Sequence, residues 1–405
     1  MQPVMAHRIN RWQKGHPSPP WELMLCPTHR CNLKCAICSR SWESEINPLL
    51  FKELPDERWL TLVEEAAALG VKFLSIGGGG EPTVRRELIL NICAKAKSLG
   101  MEGSLQTNGT LLTDEDLEKL VDMQWDHMTI SLDGPTEEIN DAIRYPGAFK
   151  QTLTRIKGLV SLKKDKKSTV PSLHINTVVT AWNCNHLTEM VNLCHELGVD
   201  EFSVVEMIDY SPDMSSYTLS DEQKKDLQQH LEKAIEEAES LGLPNNLSGM
   251  LLQQQAPLLS AGAATAECNH DLTRAYCLEP WRGAVVTSGG QIMPCCFFWD
   301  ENAENIGDKT LQDLWYGSYL TRFRENMLAG DLPDQCRQCA FPDSHIHRKL
   351  RQCLSAEKIT QRRLREKLLQ IPHYFTKLQQ YGLKGMLKRF KEKRKIQRAL
   401  KKEDS

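Results

Sequence analysis

Cys31-Asn32-Leu33-Lys34-Cys35-Ala36-Ile37-Cys38 packs three thiols into one short loop, and the reading of this stretch decides the reading of the rest. Three thiolates hold a 4Fe-4S cluster incompletely and leave one iron open for chemistry, whereas a closed cluster takes four cysteines. A structural zinc site also takes four ligands, drawn from paired C-x2-C or C-x2-C plus His spacings. The nearest histidine, His29, precedes the run and lies off any finger spacing.

Working outward, residues 22–26 are strand-like and lead straight into the cysteine loop. Residues 71–76 form a second strand that runs into Gly78, Gly79, Gly80, Glu81 and Pro82. Glycines suit such a place because the backbone approaches a ligand with no side chain between. The same rhythm continues in strands 101–109, ending in QTNG, 126–134, ending in SLDG, 172–180 and 201–207. Helical stretches alternate with them at 55–69, 86–99, 114–123, 149–163 and 186–197. In the first helix Trp59, Leu62, Val63, Ala66 and Ala67 share a stripe, and Gly70 is the stop signal. Ser220, in S-D-E-Q, opens a capped polar helix that continues to about Leu241. Strands alternating with helices argue for an α/β fold with a parallel sheet.

The C-x3-C-x2-C loop followed by GGGGEP resembles the radical S-adenosylmethionine superfamily. That resemblance implies an open, six-stranded partial (β/α)6 barrel over residues 21–243, after an N-terminal extension of residues 1–20, with its site at the C-terminal ends of the strands. It implies that Cys31, Cys35 and Cys38 hold the cluster, and that Gly78 to Pro82 meets the methionine amino group of S-adenosylmethionine. Thr107, Asn108, Ser131, Asp133 and Asn176 fall where family members contact ribose and carboxylate. Arg144, in IRYPGAF, falls where an arginine fork meets the methionine carboxylate. Plain alternatives stand beside these roles: Asn108-Gly109 and Asp133-Gly134-Pro135 also read as turns, and Arg144 as a surface charge. One departure is Ile37, where many members carry an aromatic residue before the third cysteine; the position stays apolar.

A second constellation follows. Cys277 precedes Cys295, Gly290 lies shortly before that second cysteine, and Cys336 and Cys339 form a C-x2-C pair. The pattern resembles the shortened SPASM region called a twitch domain, over residues 267–345, which binds one auxiliary 4Fe-4S cluster through four cysteines. A zinc ribbon is the competing reading. Cys296 is an alternative ligand by a one-residue slip, though the glycine register favours Cys295. His345 and Cys353 keep a second auxiliary cluster open. Of the other cysteines, Cys93 and Cys194 lie inside helical patterns and read as core. Cys184, just after the fifth strand, is expected near the barrel mouth, where a thiol could give a hydrogen atom to a substrate radical; an incidental loop cysteine is the plainer reading.

The chain opens with no charged leader followed by an apolar core, and no apolar run reaches a membrane-spanning length. Its many cysteines therefore read as metal sites in a reducing, cytoplasmic setting. Formal net charge is -3 for 405 residues, but the total hides two halves. Residues 345–405 hold 19 Lys and Arg against 5 Asp and Glu, so the rest is strongly acidic. This basic helical tail, residues 346–405, reads as a peripheral contact with an anionic membrane or an acidic partner, or as a solvated helix balancing the body. Nucleic acid ranks below these because no binding module accompanies the charge. Residues 244–266, rich in Ala, Gln, Leu and Gly, read as a linker or a lid.

The family resemblance implies that S-adenosylmethionine is reductively cleaved to a 5'-deoxyadenosyl radical that removes a substrate hydrogen atom, with flavodoxin or ferredoxin as external reductant. With four cysteines the auxiliary cluster has no vacant iron, so electron transfer is its expected role. Dehydrogenation or epimerisation follows, by a radical SAM oxidoreductase. Only thirty residues precede Cys31, too few for the leader-binding module of many peptide-modifying relatives. The expected substrate is therefore a small polyhydroxylated molecule, such as a sugar, an aminocyclitol or a linked glycan. Peptide modification is the alternative, and a non-catalytic iron-sulfur module is the reading from a different class.

Overall fold

The protein is described by a computed structural model that covers residues 2–39, 51–208, 212–255, 272, 275–337, 339 and 350–354. After helix α1 (Gln2–Gln13), six strands alternate with helices. They are β1 (Glu22–Leu25), α2 (Asp56–Leu69), β2 (Phe73–Ile76), α3 (Arg86–Ser98), β3 (Glu102–Thr107), α4 (Asp114–Asp122), β4 (His127–Ser131), α5 (Glu137–Ile143), α6 (Ala148–Lys166), β5 (Ser172–Val179), α7 (Leu187–Leu197), β6 (Glu201–Glu206) and α8 (Asp221–Leu241). Neighbouring strands from β6 through to β1 pair in parallel, which helical crossovers permit. The capping box expected at Ser220 is formed, with Gln223 returning the bond.

Side chains alternate across the strands and divide the sheet into two faces. Leu23, Leu25, Leu74, Ile76, Leu105, Met128, Ile130, Leu173, Ile175 and Phe202 join one core with Trp59, Leu62, Val63 and Ala66 of α2. Burying each of the large side chains contributes roughly 1.5–3 kcal/mol. The alternate positions are polar: Ser104, Gln106, His127, Thr129, Ser131, His174, Asn176 and Ser203. A parallel sheet covered on both faces reads as a continuous apolar run. The polar alternation here marks a face kept for a ligand.

The six parallel strands expected of the barrel are β1 to β6, and among the described residues the cysteine-rich region adds two more: β7 (Gly283–Val286) pairs in parallel with β1, and β8 (Ile292–Met293) runs antiparallel beside β7. The cysteine-rich region thus grows directly from the barrel edge, with Glu22 opposite Gly283. The stretch read as a linker or lid begins as helix α9 (Leu247–Gln255), and Asn246 before it covers the β6 edge by accepting from the Val204 N–H at 2.7 Å. Residues 256–266 of that stretch lie outside the described residues.

The N-terminal extension is part of a second core. Met5, Ala6 and Ile9 of α1 pack with Leu278, Trp281, Met327, Leu350 and Leu354. This core draws on α10 (Glu279–Arg282), whereas α11 (Leu311–Trp315) puts Leu311, Leu314 and Trp315 into the main core; α12 (Ser318–Ala329) and the short α13 (Asp334–Arg337) complete the second one. Arg324 lies between the rings of Trp12 and Trp315, 4.6 and 4.1 Å from their centroids, and donates to the Pro280 and Trp315 carbonyls. The basic tail lies outside the described residues apart from 350–354, so its expected membrane contact has no structural counterpart here. Among the described residues no helix is long and apolar enough to cross a membrane.

Candidate functional site

The cysteine loop leaves the C-terminal end of β1 and is pinned by the glycine-rich loop that leaves β2. Gly80 N–H donates to the Thr28 carbonyl at 2.9 Å, Glu81 N–H to the Arg30 carbonyl at 2.9 Å, and Arg85 to the Pro27 carbonyl at 2.7 Å. A Cβ on Gly80 would stand 2.0 Å from the Arg30 carbonyl oxygen, so only glycine lets the two loops meet. Gly78 and Gly79 take φ of 74° and 64°, the left-handed region open to glycine.

Glu81 works as a lock between loops. It is buried, and its carboxylate accepts from the Thr83 N–H at 3.1 Å, the Thr107 hydroxyl at 2.6 Å and the Asn108 N–H at 2.7 Å. Asn108 in turn donates to Asn32 at 3.0 Å, and Asn32 to Thr110 at 2.8 Å. The ends of β2 and β3 are thereby tied to the residue beside Cys31. Inside the loop the Leu33 N–H points at the Cys31 sulfur, 3.4 Å away. Burial pushes the Cys35 thiol up to about 11, and the Arg144 guanidinium opposes that rise.

Arg144 and Asp133 meet each other. Arg144 Nε lies 2.7 Å from Asp133 Oδ2, and Asp133 Oδ1 accepts the Val178 N–H at 2.7 Å. Asp133 is fully buried, and its Oδ2 faces Arg144 without forming a hydrogen bond of good geometry. Arg144 is far from the surface charge of the plain alternative, with a side chain 12% exposed. Ser131 stands in register with Asn176, whose amide oxygen accepts from the Ser203 hydroxyl at 3.1 Å. These three lie on the polar face of the sheet.

Cys184 does not reach the barrel mouth. It is buried in the main core behind the sheet, its Sγ 3.9 Å from the Ala181 carbonyl, with Asp226 of α8 nearby. The loop after β5 folds back under the helices, which makes it the incidental cysteine of the plainer reading. Cys93 and Cys194 are core as expected. Cys26, just after β1, is buried in a small apolar cluster with Val285 and Met293, and its sulfur would stand 3.1 Å from a Cβ on Gly78.

Cys277, Cys295, Cys336 and Cys339 line a single cavity, walled by Tyr276, Phe297, Phe298, Phe323 and Met327. Cys296 is exposed and outside that wall. Burial pushes the Cys336 thiol up to about 11 and drives those of Cys277 and Cys295 up as well. Four cysteines lining one cavity match the ligand count of a closed 4Fe-4S cluster. Cys353 lies against the second core, and His345 is outside the described residues.

A thiol loop at the C-terminal edge of a parallel β/α sheet, joined to a second thiol-lined cavity, defines an iron-sulfur protein of the α/β class. The profile of the Radical SAM superfamily matches residues 25–194, and that of SPASM, an iron-sulfur cluster-binding domain, matches residues 277–340. The chain belongs to the radical SAM superfamily, in the subgroup that carries a SPASM or twitch domain. It is a radical SAM enzyme whose cofactors are S-adenosylmethionine and two 4Fe-4S clusters. It is 28% identical over 330 residues to the PqqA peptide cyclase of Gluconobacter oxydans, covering 80% of this chain and 83% of the relative. It is 27% identical over 325 residues to the AdoMet-dependent heme synthase of Methanosarcina barkeri, covering 79% and 87%. The crystal structure of Streptococcus suis SuiB shares the fold, with a TM-score of 0.61 and 22% identity over 79% of this chain and 71% of that one.

Proposed function

We propose that the protein modifies a peptide by hydrogen-atom abstraction followed by oxidation. The observation that carries this reading is the likeness to PqqA peptide cyclase, which extends over four-fifths of the chain. The small polyhydroxylated substrate expected from the short N-terminal segment gives way to it.

In this reading Cys31, Cys35 and Cys38 hold the first cluster, and Cys277, Cys295, Cys336 and Cys339 the second. When bound, S-adenosylmethionine supplies hydrogen-abstracting radical chemistry. The chain's part is positional. Gly78 and Gly79 turn the backbone beside the cysteine loop, Gly80 and Glu81 clamp the loops together, and Ser131 and Asn176, the latter held by the Ser203 hydroxyl, stand on the polar face to meet S-adenosylmethionine. Cys277, Cys295, Cys336 and Cys339, within a mainly apolar cavity, would hold a closed cluster that would supply electron transfer, and a flavodoxin or ferredoxin would be the source of reducing electrons for the first. The test is mass spectrometry of short peptides encoded beside the gene, incubated with the reconstituted, reduced protein and S-adenosylmethionine. Loss of two hydrogen atoms from one peptide is the expected result. Unchanged peptides together with oxidation of a sugar or aminocyclitol would reverse the substrate class.

A further inference from the structure

The Asp133–Arg144 pair is held more firmly than a ligand-binding arm needs to be. Asn140, fully buried in α5, accepts the Asp133 N–H at 2.9 Å on its side chain and the Arg144 N–H at 2.8 Å on its carbonyl. Asn183 donates to the Asp133 carbonyl at 2.8 Å. The neighbouring Ile143 carbonyl accepts the Ala36 N–H at 3.0 Å, which docks the cysteine loop between Cys35 and Cys38 onto the end of α5. The backbone on both sides of the pair is thereby fixed, Asp133 Oδ2 stands 2.7 Å from the guanidinium, and the charge on Arg144 is within electrostatic reach of Cys35 and Cys38. Charges fixed in a poorly solvated site act on their neighbours far more strongly than solvated ones. Iron-sulfur potentials respond to net charge and hydrogen bonding around the sulfurs.

We propose that Asp133 and Arg144 together set the reduction potential of the first cluster, the guanidinium raising it and the carboxylate trimming that rise. This rests on the reading that Cys31, Cys35 and Cys38 hold that cluster. The reasoning is one of charge balance. Reduction adds one electron, delivered by the external donor, and a positive charge beside Cys35 stabilises the more negative state. A negative charge behind it does the reverse, more weakly, because Arg144 stands between. Arg144 is on this account a tuning residue, whatever it also gives to S-adenosylmethionine.

The test is an anaerobic redox titration of the reconstituted full-length protein without S-adenosylmethionine. It follows by electron paramagnetic resonance the reduced-cluster signal that added S-adenosylmethionine perturbs in a parallel sample. Arg144→Met is expected to move the midpoint to a more negative value, and Asp133→Asn to a less negative one. Arg144→Lys, which keeps the charge, is expected to fall between wild type and Arg144→Met. Iron and sulfide content and the circular dichroism spectrum identify folded, loaded samples; if Arg144→Met fails to load, the Lys and Asn variants decide, through the sign of their shifts. Midpoints that coincide with wild type in loaded variants overturn the proposal, and weaker S-adenosylmethionine binding with unmoved midpoints would leave Arg144 as a carboxylate ligand only. If the wild-type protein shows no signal that S-adenosylmethionine perturbs, the ligand assignment itself falls, which is a different outcome from unmoved midpoints.

Discussion

Around Cys31, Cys35 and Cys38 the walls are polar and charged, with Arg144, Asp133, Asn32 and the Glu81 lock at hand; around Cys277, Cys295, Cys336 and Cys339 they are mainly phenylalanine, tyrosine, methionine and proline, with Glu279 and Gln335 as the polar members. The first wall suits a centre that must receive a zwitterionic, hydrogen-bonding ligand. The second suits a closed centre that exchanges only electrons, since a low-dielectric surrounding offers nothing to a polar substrate. One chain thus carries three thiols beside a buried ion pair and four in a mainly apolar cavity. The two are physically linked by the shared sheet and by Arg282, which donates to Glu279 at 2.8 and 2.6 Å and pairs with Glu22 of β1.

The strongest way to separate the two regions is at the loop contact. Gly80→Ala puts a methyl group into the Arg30 carbonyl and is expected to strip the first cluster while sparing the second, so iron analysis should fall from about eight to about four per chain. A fully loaded Gly80→Ala protein would mean that the loops do not need to touch. Next comes the link. Arg282→Met leaves two carboxylates facing each other in a partly buried site, and breaking such a pair typically costs about 3–5 kcal/mol. Chemical denaturation should show that loss, together with weaker retention of both clusters. Trp12→Ala removes one face of the Arg324 sandwich and a large side chain bridging the second core, for a loss of about 3–5 kcal/mol. It should loosen the auxiliary centre and leave the first cluster's spectrum unchanged. The smallest effect is expected far from both. Ser220→Ala removes the α8 cap for about 1 kcal/mol, with iron content unchanged. A loss of either cluster in that variant would show that the two regions are less separate than their surroundings suggest.

The β/α rhythm was legible because each strand and helix carries its own period. Leu23 and Leu25 alternate with Glu22 and Met24, and Trp59, Leu62, Val63 and Ala66 recur at helical spacing. The cysteine spacings were legible for the same reason: ligands close in sequence announce themselves. What stayed hidden depends on partners far along the chain. Gly283–Val286 is too short to stand out as a strand, and its partner β1 lies more than two hundred residues upstream. The apolar positions of α1 face a core assembled from the other end of the chain. That Asp133 and Arg144 face each other is likewise not written in their sequence spacing. Cys184 was placed by the general rule for loops after barrel strands, and the local turn, with Asn183 bonded to Thr180 and to the Asp133 carbonyl, overrides that rule.

The central claim is that the two thiol sets have different jobs, one reacting with S-adenosylmethionine and the other passing electrons. Quantifying 5'-deoxyadenosine in the reduced, reconstituted protein tests it most directly. A Cys336→Ala, Cys339→Ala double variant is expected to keep forming it, uncoupled from product, while a Cys31→Ala, Cys35→Ala, Cys38→Ala triple variant forms none. Formation by the triple variant, or its loss in a double variant that still holds the first cluster, would contradict the account.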